Sequence, residues 1–236
     1  MKLQGAHVVV MGGSTGIGFA AAKLARQAGA EVTIAGRSQD KLAQAQRELG
    51  EVRTVAADIT DEAAVGQVFE GLSHIDHVLI SAGTIVNGRI VDNDLTNLRR
   101  IIDERIWGLT YVVRHAVPRM TQGSITFTSG GLSSRPRVGA AMLTAALAGV
   151  EALAPALALE VAPVRVNAVT PGLIDTPLLY TTYGSERDTI VNNRAAVLPG
   201  KRVGSAEEVA QAILMLMTNE YITGEVLHID GGSRFV

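Results

Sequence analysis

With 236 residues, 47% of them hydrophobic and 19% charged, the chain can bury one full-sized core, which suits a single α/β domain. Its formal net charge of -2 leaves no basic surplus, so neither nucleic acid nor an acidic membrane surface is an expected partner. The lack of cysteine excludes disulfides, thiolate catalysis and zinc–thiolate centres, and it is compatible with the reducing cytoplasm, the expected location.

The apolar run after Met1 and Lys2 is too short for a secretory signal, so no leader is expected. Residues 7–11 (HVVVM) form a β-branched run that reads as a buried parallel strand. Residues 16–29 read as a helix and 31–35 as the second strand. A helix over 38–49 follows, with Ser38 as its N-cap and Gly50 as its stop. Then come a strand at 52–56, a helix at 61–72 capped by Thr60 or Asp61, and a strand at 77–81. Residues 95–120 read as one long helix with Pro118 near its end, and 124–129 as a strand. The run 138–161 is long and almost uncharged, but Glu151 and Pro155 near its middle make a bilayer costly, so a buried core helix is expected. Pro155 is expected to kink or loosen it. A strand at 164–169, an irregular excursion at 171–200, a helix at 205–217 and a strand at 226–229 complete the chain.

This alternation predicts a doubly wound parallel sheet of about seven strands with helices on both faces, in one domain spanning 1–236. A long excursion in a compact domain is more often functional than idle, so 171–200 is expected on the substrate side. Ligands of such sheets sit beyond the C-terminal strand ends. There the Gly12 turn, Ser81–Gly83, Ser129 and Pro171 would meet.

The turn after the first strand carries Gly12, Gly13, Gly16 and Gly18, spaced Gly-x-x-x-Gly-x-Gly. Glycines let the backbone turn sharply and approach a ligand, and the N-terminus of the next helix favours a diphosphate. The second strand ends Ile34-Ala35-Gly36-Arg37-Ser38 with no carboxylate at its turn. An acid there would bind a ribose 2′-hydroxyl, whereas Arg37 offers a planar fork for a 2′-phosphate and Ser38 a further hydrogen bond. The expected cofactor is NADP(H).

Along essentially its whole length the sequence resembles the short-chain dehydrogenase/reductase family. Residues 11–18 resemble its TGxxxGIG cofactor turn, with Met11 in place of threonine. The resemblance assigns cofactor contacts to Gly12, Ser14, Thr15, Gly16, Ile17 and Gly18. It places Asp58, with Ile59, at the adenine. Ser81-Ala82-Gly83 match its NAG segment, with Ser81 in place of asparagine. Pro171, Gly172, Ile174 and Thr176 fall in the segment that holds the nicotinamide amide and the diphosphate.

The family uses Asn, Ser, Tyr and Lys for proton supply and substrate positioning. Residues 148–153 and 156–160 resemble the family's AAVEAL…ALALEL, and counting back puts Leu143 at the tyrosine and Leu147 at the lysine. A one-residue slip gives Met142 and Ala146, which are no more ionisable. The serine falls on Gly130, beside Ser129, and the asparagine on Arg105. No catalytic residue is therefore assigned. Ser129, Leu143, Leu147, Tyr180 and Tyr183 are candidates to line the substrate pocket. Tyr183 and Arg187 have tyrosine–lysine spacing, but a loop aromatic and a solvated charge are the plainer reading. Arg105 could bind an anionic substrate, although an arginine in a long helix more often sits at a surface or interface. Arg135 and Arg137 flank Pro136 near the mouth, where they could attract an anion. The five histidines do not cluster with carboxylates, so no metal is expected.

Two functions follow. One is an NADP(H)-dependent oxidoreductase acting on a small carbonyl or alcohol, with water, Ser129 or a loop tyrosine supplying the proton. The other is a non-catalytic NADP(H)-binding protein, a redox-responsive partner or a subunit. A pocket enzyme without hydride exchange ranks last, for want of a residue constellation. Residues 95–120 and 138–161 resemble the elements that pair family subunits, so a homodimer or homotetramer is expected.

Overall fold

The computed structural model describes residues 3–236. Strand β1 (His7–Met11) leads into α1 (Gly16–Gln27), followed by β2 (Glu31–Gly36), α2 (Gln39–Leu49), β3 (Arg53–Ala56), α3 (Glu62–Phe69) and β4 (His77–Ile80). Next come α4 (Leu95–Ile102), α5 (Gly108–Ala116), β5 (Ser124–Thr128), α6 (Ala141–Glu160) and β6 (Arg165–Pro171). The last part holds β7 (Ile174–Asp175), α7 (Pro177–Tyr183), α8 (Arg187–Val197), β8 (Gly204–Ser205), α9 (Ala206–Thr218) and β9 (Val226–Ile229). Seven strands form one parallel sheet in the order β3-β2-β1-β4-β5-β6-β9. The order reverses between β1 and β4, which opens a crevice at their C-terminal ends.

Side-chain alternation along β1 splits the core. Val8 and Val10 pack with α1, α2 and α9 on one face, while Val9 and Met11 pack with α3, α5 and α6 on the other. Asp61 caps α3 through the amides of Ala63 and Ala64, and Ser38 caps α2 through that of Lys41. Ser205 and Glu208 form a reciprocal capping box on α9.

The expected single helix over 95–120 is broken. A π-helical turn, Asp103–Trp107, joins α4 to α5, and a 3-10 turn, Val117–Arg119, ends the run at Pro118. The wide turn points both Glu104 and Arg105 inward, at 2% and 8% exposure. The excursion over 171–200 is also more regular than expected. It holds α7, with Pro177 in its first turn, and α8, which buries none of its residues and so has no apolar stripe to signal it. The strand β7 pairs with β8 and ties the excursion back to the start of α9. Helix α6 runs unbroken through Pro155, held on the domain by Leu143, Ala146, Leu147, Val150 and Ala154. It is long and apolar enough to cross a membrane by composition, yet this face is packed into the fold.

Candidate cofactor and substrate site

The turn after β1 is built for close approach. Gly12 has φ +84, and a Cβ there would stand 2.7 Å from the Ala82 amide nitrogen. A Cβ on Gly18 would fall on the Gly12 carbonyl oxygen, so α1 can begin hard against the turn only with glycine there. The N-cap of α1, Thr15, makes no side-chain cap, and no acidic residue lies in the first turn. The uncapped amides therefore remain available to an anion. From the other side, Thr176 closes to 3.5 Å from where a Gly16 Cβ would be. Gly172 abuts Asp230, whose Cα would lie 2.9 Å from a Cβ at 172. A cleft of about 320 Å³ runs beside this turn, lined by Ser14, Thr15, Gly16, Lys41, Thr176 and Pro177. These residues fit a nicotinamide dinucleotide: a glycine cradle and uncapped helix amides for its diphosphate.

Further along the crevice, Arg37 and Ser38 follow β2, and the Ser14 hydroxyl lies 3.3 Å from where a Gly36 Cβ would stand. Arg37 is 53% exposed and 3.7 Å from Glu104. Asp58 accepts hydrogen bonds from the Thr60 amide (3.0 Å) and hydroxyl (2.9 Å) and from Arg100 Nη2 (3.0 Å). Burial pushes the Asp58 carboxyl up, but the Thr60 and Arg100 hydrogen bonds outweigh it and hold it below its ordinary value. Arg100 Nε also donates to Glu104 (2.9 Å), whose other oxygen accepts from the Thr84 amide and hydroxyl, both at 2.7 Å. The sequence reading missed Arg100, Glu104 and Thr84. They meet only because the π turn brings 104 inward beside the loop after β4.

At the other end of the crevice, Leu143 and Leu147 are 2% and 3% exposed and pack with Ala146, Leu98 and Ile101. A Leu147 methyl lies 3.4 Å from where a Gly130 Cβ would be. The positions that the resemblance assigns to Ser, Tyr and Lys are thus adjacent here and wholly apolar. Ser129 is buried, but its hydroxyl is turned onto α6, 3.1 Å from Leu147 O and 2.8 Å from Glu151 Oε1. The same Glu151 oxygen accepts from Ser133 (2.6 Å) and Thr170 (2.9 Å), pinning α6 to the ends of β5 and β6. In the sequence Glu151 stood out only as a charge in an apolar run.

The loops at the mouth are stitched together by arginines. Arg137 donates to Asn87 and, at 3.3 Å, to the Tyr183 hydroxyl. Arg135 donates to the Ser233 carbonyl near the chain end. Tyr180 is exposed beneath the Arg187 guanidinium, which pairs with Asp175 and Asp188. Tyr183 and Arg187 therefore have separate partners and do not act as a pair.

A family model described as enoyl-(acyl carrier protein) reductase matches residues 12–234. The chain belongs to the short-chain dehydrogenase/reductase family. Among the similar proteins is the short-chain dehydrogenase/reductase ucsE of an Acremonium species, 32% identical over 98% of this chain and 96% of that one. A solved structure of MalC Reductase/Diels-Alderase from Malbranchea aurantiaca superposes with a TM-score of 0.93 at 28% identity, covering 99% of this chain and 98% of that one. A small-chain dehydrogenase in complex with NADPH superposes with a TM-score of 0.86 at 33% identity, covering 99% of this chain and all of the other.

Proposed function

We propose that this protein is an NADP(H)-dependent oxidoreductase acting on a small carbonyl or alcohol, with water in place of a tyrosine as the proton source. The observation that carries the cofactor assignment is Arg37 at the end of β2, with no carboxylate at that turn. The NADPH bound to a similar structure supports it. In this reading Ser14, Thr15 and the α1 amides hold the diphosphate, and Arg37 and Ser38 hold the 2′-phosphate. Asp58 and Ile59 hold the adenine, and Ser81, Ala82 and Gly83 pass beneath the ribose. Pro171, Gly172, Ile174 and Thr176 hold the nicotinamide end. Bound there, the cofactor supplies the hydride. Leu143 and Leu147 exclude bulk water from the reacting face but offer no proton. The Ser129 hydroxyl donates to Glu151, and Tyr183, accepting from Arg137, sits with the exposed Tyr180 at the mouth, so solvent is taken as the acid in this reading.

A second reading is a non-catalytic NADP(H)-binding protein, favoured by the apolar cluster around Leu143 and Leu147. NADPH oxidation measured across ketones, aldehydes and quinones separates the two. Turnover of any of them at a rate that saturates with substrate supports the reductase. No turnover by protein shown to bind NADPH supports the second reading. The oxidoreductase reading also carries a cytoplasmic homodimer or homotetramer. It would be assembled through α4, α5 and α6, where Trp107 and Leu159 remain exposed. Light scattering would report a monomer if that assembly is wrong.

A further inference from the structure

Charge around the loop after β4 does not cancel. Asp58 and Glu104 face Arg37 and Arg100, two carboxylates against two guanidiniums. Arg105 is left over. It lies in the π turn, 8% exposed, with no carboxylate within ion-pair distance among the described residues. Its guanidinium makes one hydrogen bond, from Nη2 to the Thr84 carbonyl at 3.2 Å. Its Nε is buried without a partner. Its flat face rests on Gly83, where a Cβ would come within 2.9 to 3.0 Å of the guanidinium carbon and both terminal nitrogens. Gly83 belongs to the segment that the family resemblance assigns to the cofactor. A buried guanidinium with unused donors is costly, and a ligand that supplied the missing acceptors would offset that cost. The family places lysine at 147 and asparagine at 105. This chain has Leu147 and Arg105, so the site keeps one positive charge and moves it from α6 to the junction of α4 and α5.

We infer that Arg105, seated against Gly83 and Thr84 just after β4, is an anion-binding residue and that it takes the carboxylate of the substrate. The substrate class is an oxo acid or hydroxy acid whose carboxylate meets Arg105. A carboxylate matches the planar donor fork in geometry and charge. This deepens the oxidoreductase reading and rests on it for the ligand's place beside the cofactor, but carboxylate binding is measurable without turnover.

The test is calorimetric titration of benzoylformate and of its methyl ester into the protein, with and without saturating NADP⁺. The acid is expected to bind about tenfold or more tightly than the ester. Arg105→Met should remove that preference and leave ester affinity unchanged, and Arg105→Lys should retain part of it. Should Arg105→Met not fold, the acid-to-ester ratio of the wild-type protein and the Arg105→Lys variant still decide. Equal affinity for acid and ester, binding of neither, or an Arg105→Met variant that keeps the preference would overturn the inference. Failure of the wild type to bind NADPH would overturn the cofactor reading alone, because the titration without NADP⁺ still reports on Arg105.

Discussion

Arg37 and Arg105 are the two guanidiniums to which we assign anion binding, and their surroundings differ. Arg37 is half exposed at the edge of the crevice, where a phosphate can reach it and stay partly hydrated. Replacing it with aspartate removes charge-assisted hydrogen bonds worth about 1.5–3 kcal/mol and adds repulsion. NADPH affinity should therefore fall by about tenfold to a hundredfold, with NADH much less affected. Fluorescence titration of both cofactors checks this, and equal losses would remove Arg37 from the 2′-phosphate site. Gly130, Leu143 and Leu147 show the opposite case. Leu143 and Leu147 have chemically inert side chains packed in one buried cluster, and Gly130 has none, with a Leu147 methyl lying over it.

At the scale of elements, buried polar groups tie the helices to the sheet. Arg165, at the start of β6, donates to the carbonyls of Leu216 (2.7 Å), Met217 (2.9 Å) and Ile222 (2.9 Å). It thereby satisfies the Leu216 and Met217 carbonyls in the last turn of α9, where the Met215 carbonyl accepts from the Asn219 amide. Arg165→Ala should cost about 2–4 kcal/mol, because it leaves those carbonyls unpaired in the interior. A lower urea midpoint with an unchanged slope would confirm it. Glu151 does similar work for α6, accepting from three hydroxyls, two in the loop after β5 and one on β6. The π turn between α4 and α5 is the element with the largest functional consequence. Its wider circuit changes which residues face the sheet from those an unbroken α-helix would present there.

For the molecule as a whole, acid is expected to destabilise the fold from the end opposite the site. His77 begins β4, is buried, and its Nδ1 lies 2.9 Å from Ser124 Oγ. Burial pushes its imidazole down from 6.5 to about 4, with Asp76 opposing and Arg165 adding to the shift. Between these values the unfolded chain takes up a proton that the folded chain refuses. Stability is therefore full above the unfolded value and falls as pH drops toward 4, by on the order of 3 kcal/mol from this residue. Asp58 and Asp76, both held below their ordinary values in the fold, add losses of the same sign at lower pH. Urea denaturation of the wild type and of His77→Gln at pH 7 and pH 4.5 measures the His77 share. Equal pH slopes for the two proteins would exclude it.

The sequence by itself determined the seven-stranded doubly wound sheet, the glycine turn and Arg37 at the end of β2. These are local properties. Strand burial shows as unbroken β-branched runs, glycine marks where no Cβ fits, and an alternating chain has few topologies open to it. The same reading placed Leu143 and Leu147 together, because i and i+4 share a helical face. Only the tertiary structure decided that Arg105 faces inward, that Glu104 and Arg100 join Asp58, and that Ser129 turns to Glu151. A π turn leaves no mark in apolar periodicity, and α8 buries nothing that would reveal it. Partners 20 to 42 residues apart, as Thr84 is from Glu104 and Asp58 from Arg100, are set by how helices seat on the sheet. Whether a charge is exposed or buried, and so whether it is solvated or left seeking a ligand, depends on that seating.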